Sequence, residues 1–132
     1  MKLAKWIFLI AGIFGLLVTA PMALAEKAIE QIMPPAVNHP EFFYGFVSLN
    51  ACWQVLYLFL STDPIRYRAM MVPSFLAKAS GVIALTWLYL QKRISNQWTV
   101  TVIVDGIWAI LFLVAFWATG RGSRGRQVRA VQ

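Results

Sequence analysis

Lys78 and Asp105 are the two residues with most to explain, because they alone carry a formal charge within four otherwise apolar runs of about twenty residues each. Placing a charge in hydrocarbon costs at least ~2.5–3.5 kcal/mol per residue on insertion scales, so each needs a partner or a purpose. The amides Asn50 and Gln54 pose a milder form of the same problem. With a helical rise of ~1.5 Å per residue, Asn50 and Asp105 fall about 10–12 Å below one bilayer boundary, and Gln54 and Lys78 about 18 Å. Two polar layers result. Lysine reaches about 6 Å and neighbouring helices lie 8–10 Å apart, which permits a Lys78–Asp105 ion pair across the layers. Snorkelling of Lys78 toward the nearer headgroups, past Ser74 and Gln54, is the competing arrangement.

Other chemistry is thinly represented. Ser74 and Lys78 are four apart, as a serine–lysine nucleophile pair on one helix face requires, but no oxyanion hole is evident beside them. No His, Cys, Asp or Glu set has metal-ligand spacing, and no glycine-rich phosphate loop occurs. Cys52 is the sole cysteine, which excludes an internal disulfide and a CxxC redox pair; it reads as a small apolar filler. His39 is a lone loop histidine, read as having no catalytic or ligand role. No cofactor is expected.

The elements that must carry these residues are the four runs themselves, at about 6–25, 42–61, 70–90 and 98–119. Each is long enough to cross a ~30 Å hydrocarbon core once as a helix. Sixty per cent hydrophobic residues, 14% aromatic and a mean hydropathy of +0.66 exclude an ordinary soluble domain. Connections of roughly 5 to 20 residues bring consecutive runs together as antiparallel neighbours. The expected fold is all-α, a transmembrane four-helix antiparallel bundle over 1–120, followed by a flexible basic tail over 121–132. Lys2 and Lys5 before the first run, and Ala23-Leu24-Ala25 before Glu26, also fit a signal peptide; the run's length favours a retained span.

Charge placement orients the bundle. Lys2, Lys5, Arg66, Arg68, Arg121, Arg124, Arg126 and Arg129 share one side, against Lys27, Lys92 and Arg93 on the other. Eight against three predicts cytoplasmic termini in a bacterial inner membrane. The aromatic belts agree: Trp6, Tyr67 and Trp117 mark the inner boundary, and Tyr44, Trp87, Tyr89 and Trp98 the outer one. Trp53 and Trp108 lie mid-span and are expected to pack between helices. The net charge of +7 thus reflects topology and lipid contact, and nucleic acid is not an expected partner. Arg66, Arg68, Arg121 and Arg124 are the candidate lipid-headgroup residues.

Shorter signals complete the plan. Glu26–Met33 reads as a small amphipathic helix ended by Pro34-Pro35, and Pro40 suits the first turn of the second span. Thr62 or Asp63 is placed to cap a helix beginning at Pro64. Ala11 with Gly15, and Ala77 with Gly81, have the four-residue spacing that lets helices approach closely, which suggests contact between the first and third spans or with an outside partner.

The run Phe42-Phe43-Tyr44-Gly45-Phe46, then Trp53-Gln54, Asp63-Pro64-Ile65-Arg66-Tyr67-Arg68 and Lys78, resembles small bacterial four-helix membrane proteins of the broad DoxX-like group. The resemblance implies layout and no activity. A looser similarity of layout, with the Asp-Pro after the second span, is to sterol-isomerase and sigma-2-receptor type bundles. Those imply a pair of acids within the membrane, whereas this chain has Asp105 alone.

Three functions fit these residues. The first is a non-catalytic accessory or structural subunit that packs against other membrane proteins or itself, with membrane lipids around it. The second is binding or transformation of a lipid, quinone or sterol-like molecule in a pocket of Asn50, Gln54, Lys78 and Asp105 walled by Trp53 and Trp108. The third is proton-coupled transport of a small solute, with Asp105 as the titrating group.

Overall fold

A computed structural model describes residues 2–32 and 37–129, with 121–129 described by backbone alone. Among them are five helices and no strand: α1 Lys2–Leu24, α2 Glu26–Ile32, α3 Pro40–Thr62, α4 Met71–Leu90 and α5 Trp98–Arg129. All except α2 are long and apolar enough to cross a membrane. The expected spans are therefore recovered within a few residues at each end.

The ends follow local chemistry. Pro40 opens α3, where its missing N–H costs nothing. Asp63 does not cap a helix starting at Pro64. Its Oδ1 accepts from the Ile65 and Arg66 backbone N–H groups at 3.2 and 3.1 Å, closing a turn that passes through a short 3-10 segment, Arg68–Met70, before α4 begins. Thr62 donates instead to the Phe59 carbonyl. At the far end of α4, Lys92 adopts a left-handed φ of 56° and the Arg93 N–H reaches the Leu88 carbonyl at 3.0 Å. That wraps the last turn in the manner usually given to glycine.

In space the order is α3, α1, α5, α4: α1 packs on α3 and α5, and α4 packs on α5, while the consecutive α3 and α4 barely touch. The first span thus meets the second and fourth, rather than the third as its small residues suggested. Gly12 and Gly15 explain the α1–α3 contact. A Cβ on Gly12 would stand 2.7 Å from Leu58 Cδ2, and one on Gly15 would overlap the Gln54 side chain. Gly81 faces α5 without being required there, since a Cβ would lie 3.9 Å from Asp105 Oδ2, an ordinary contact.

The core is concentrated toward the end of the bundle that holds the 63–70 turn, here the turn end. Ala4, Ile7, Phe8 and Ala11 of α1 meet Tyr57 and Leu60 of α3, Met71 of α4, and Phe112 and Ala115 of α5. Phe8 stacks on Phe112 with ring centroids 4.7 Å apart, and Tyr57 meets Phe112 edge-on at 4.9 Å. Lipid is as apolar as these side chains, so close packing of this kind supplies the helix association that water supplies in soluble bundles. Toward the opposite end, which carries α2 and the α4–α5 loop, burial declines. The α5 stripe Thr101, Asp105, Trp108, Phe112, Ala115, Thr119 follows the 4-3 spacing of one helix face. Its last three members are fully buried, Trp108 is half-buried, and Thr101 is exposed. The α4 stripe runs the same way, from buried Met71 and Ser74 through half-buried Lys78, Val82 and Leu85 to exposed Tyr89.

Past Thr119 the α5 backbone stays helical to Arg129, through residues read from sequence as a flexible arm. A formed span is already a nucleus, and extending it needs only the small per-residue gain of propagation.

Candidate functional site

The four polar residues placed together by depth arithmetic separate into two clusters on different helix pairs. Between α1 and α3, the Asn50 amide donates to Thr19 Oγ1 at 2.7 Å, and Gln54 Nε2 donates to both the Asn50 carbonyl and Asn50 Oδ1 at 3.1 Å. The i, i+4 spacing puts the two amides on one face of α3, and Gly15 leaves the space that Gln54 fills. Gln54 and Thr19 are buried and Asn50 is half-buried, so this cluster is a hydrogen-bonded seam between packed helices.

Between α4 and α5, Lys78 Nζ donates to Asp105 Oδ1 at 2.7 Å, with the two side chains 17% and 23% exposed. The ion pair is thus the arrangement found, and snorkelling is not. The pair differs from the α1–α3 seam in being reachable. The single pocket of Asn50, Gln54, Lys78 and Asp105 is accordingly replaced by a mostly buried seam and a partly open ion pair. Ser74 donates to the Met70 carbonyl at 2.7 Å and Lys78 is engaged by Asp105, so the serine–lysine pair is not assembled.

Trp108 packs between helices as expected, its ring centroid 6.2 Å from Phe14 of α1 and from Phe112 on its own helix; Trp53 is partly buried against the core, 6.3 Å from Tyr57 one turn along α3. They extend the aromatic core toward the middle of the bundle, and Trp108 is one turn from Asp105 on the same face of α5.

At the turn end, Arg66 and Arg68 part company. Arg66 is exposed, its guanidinium 5.7 Å from the Tyr67 ring centroid. Arg68 folds back onto α5: its Nε donates to the Phe116 carbonyl at 3.2 Å and its guanidinium lies 3.7 Å over the Phe116 ring. A Cβ on Gly120 would come within 2.8 Å of that guanidinium. Arg68 is therefore a clamp between the turn and the end of α5, a role its position beside the headgroups did not announce. The side chains of Arg121 and Arg124 lie outside the described residues. At the opposite end, the Tyr44 hydroxyl donates to Glu26 at 2.7 Å and the Val37 N–H to Glu30 at 3.0 Å, tying α2 to the start of α3. His39 pairs with Glu41 at 3.1 Å on the surface.

Two participants escaped the sequence. Thr19 is one hydroxyl in an apolar run, and its depth matches Asn50 only when α1 and α3 are known to be neighbours. Phe8 and Phe112 looked like any lipid-facing aromatics. Among the described residues no set of three or more His, Cys, Asp or Glu side chains is placed to hold a metal ion.

Four long apolar helices, internally paired polar side chains and an aromatic core define a multi-pass helical membrane protein. No protein-family model, curated protein or solved structure matches the chain.

Proposed function

We propose that this chain is a small multi-pass subunit of a bacterial cytoplasmic membrane, with both termini in the cytoplasm, that acts by packing against another membrane protein or a second copy and not by catalysis. The observation that carries this reading is α4. It is held from one side, by α5, and of its twenty residues only Met71 and Ser74 are buried, while Leu76, Ile83, Trp87 and Leu90 all face outward. In bilayers, helix faces rich in small residues and aromatics associate by close packing, and α4 has the exposed small residues Ser80 and Ala84 one turn apart on its outward side. Eight basic residues on the turn side against three opposite support the orientation.

Purification in a mild detergent followed by mass measurement tests the packing role. A discrete species heavier than one chain is expected, and a monodisperse monomer that recovers no partner would sink it. For orientation, Asn96→Cys is expected to react with a membrane-impermeant maleimide in intact cells, and Ser123→Cys only after permeabilisation; the reverse pattern inverts the topology.

A second reading, binding of a hydrophobic small molecule, is favoured by one observation: both members of the Lys78–Asp105 pair are partly open within the span, whereas Thr19 and Gln54 of the α1–α3 seam are buried.

A further inference from the structure

We infer that the Lys78–Asp105 pair is the head-group site for an uncharged, hydrogen-bonding membrane amphiphile that enters through the loosely packed half of the bundle; this rests on the small-molecule reading above. The argument begins with unspent hydrogen-bonding capacity. Lys78 uses one of its three N–H donors on Asp105 Oδ1, and Asp105 Oδ2 has no protein donor among the described residues. An adjacent donor and acceptor are thus both available at one point in the span.

Access comes from the same region. Thr101, one turn from Asp105, lies on the face of α5 that carries the buried Phe112 and Ala115, yet it is exposed. Gly81 leaves the space in front of Oδ2 unfilled, with its missing Cβ 3.9 Å from that atom. On the other side of Asp105, the half-buried Trp108 ring offers a flat apolar wall joined to Phe14 and Phe112. Because α3 and α4 barely touch, an acyl or ring-bearing tail has a lateral way out to the hydrocarbon.

Charge balance selects the head. The ion pair is already neutral, so an anionic or cationic head would bring an unbalanced charge into the hydrocarbon, whereas a neutral one would not. A hydroxyl or primary amide can donate to Asp105 Oδ2 while accepting from Lys78, which satisfies both groups without separating them.

The test uses the full chain in proteoliposomes and tryptophan emission. The probe is a long-chain alcohol brominated beside its head group, compared with the carboxylate and the trimethylammonium of the same chain. Saturable quenching by the alcohol is expected, at least tenfold tighter than by either charged probe and largely lost in Trp108→Phe. Gly81→Leu, which fills the approach to Oδ2 and leaves Lys78 and Asp105 in place, is expected to weaken the alcohol at least tenfold with an unchanged helical circular dichroism spectrum. Quenching that rises linearly for all three probes, as simple partition gives, overturns the small-molecule reading and this inference with it. Saturable binding that favours a charged probe, or that ignores Gly81→Leu, overturns this inference alone.

Discussion

The two ends of the bundle are built from similar residues and behave differently. At the turn end, Phe8, Tyr57, Leu60, Met71 and Phe112 are sealed, and Arg68 fastens the turn to Phe116. Toward α2 and the α4–α5 loop, the same helix faces carry Thr101 and Tyr89 in the open, and Phe46 of α3 is 58% exposed. Amphipathic spacing alone does not decide this. The tight half has a small residue opposite a large one at its crossings, Ala4, Ala11, Gly12 and Ala115 against aromatics and leucines, so the backbones draw together and dispersion contacts accumulate. In the loose half α1 and α3 stay joined through Thr19 and Asn50, α4 and α5 through Lys78 and Asp105, and the two pairs have little between them.

Substitutions that respect this difference should show it. Lys78→Met is expected to have the largest effect, on the order of 2–3 kcal/mol, because it strands Asp105 in the span; partial exposure of the pair trims the ~3–5 kcal/mol typical of a fully buried one. The double variant Lys78→Met/Asp105→Leu should recover most of that loss in a detergent-titration unfolding experiment. If the single variant costs nothing, the pair is solvated and the loose half is looser than described here.

Next in size is Phe8→Ala, expected to cost on the order of 2 kcal/mol, since lipid removes the transfer part of the ~3–5 kcal/mol such a truncation costs a soluble core. Phe46→Ala in the loose half should cost a few tenths at most by the same unfolding measurement. Equal losses would erase the contrast.

Glycines give a third comparison. Gly12→Ala forces a Cβ to within 3.0 Å of the Gln54 backbone carbonyl and should cost ~1–3 kcal/mol. Gly106→Ala meets nothing within 4 Å and should gain up to about 1 kcal/mol from helix propensity, read as a rise in thermal midpoint. Smaller than the Gly12→Ala loss is the effect expected of Thr19→Val, which removes one hydrogen bond between spans; ~0.6 kcal/mol is the average for such bonds.

The sequence makes the spans legible because a twenty-residue apolar run has few alternatives, and the structure places their ends within a few residues. That Lys78 and Asp105 could pair was legible for a related reason, since depth is arithmetic once the spans are known, but the choice between pairing and snorkelling was not. Lateral order was not. Nothing in the composition of α1 says that it packs on α3 and α5 instead of α4, so Thr19 could not be matched to Asn50, and the bonds that Asn50 and Gln54 make toward α1 and each other were not foreseen. Arg68 was hidden by its own chemistry, since a guanidinium at a headgroup and one on a carbonyl and a ring leave the same trace in sequence. The third span, α4, begins later than Pro64 suggested because Asp63 satisfies a turn first.

The stacking of Phe8 on Phe112 has a bearing on how the chain is made. It joins α1 to α5, three spans further along the chain, so the tight half cannot close until α5 has been delivered to the bilayer. Until then α1 and α3 can pair as a hairpin held by Thr19 and Asn50, while Lys78 waits in the membrane for the carboxylate that neutralises it. The order of the spans along the chain thus separates the arrival of Lys78 in the membrane from that of its partner on α5.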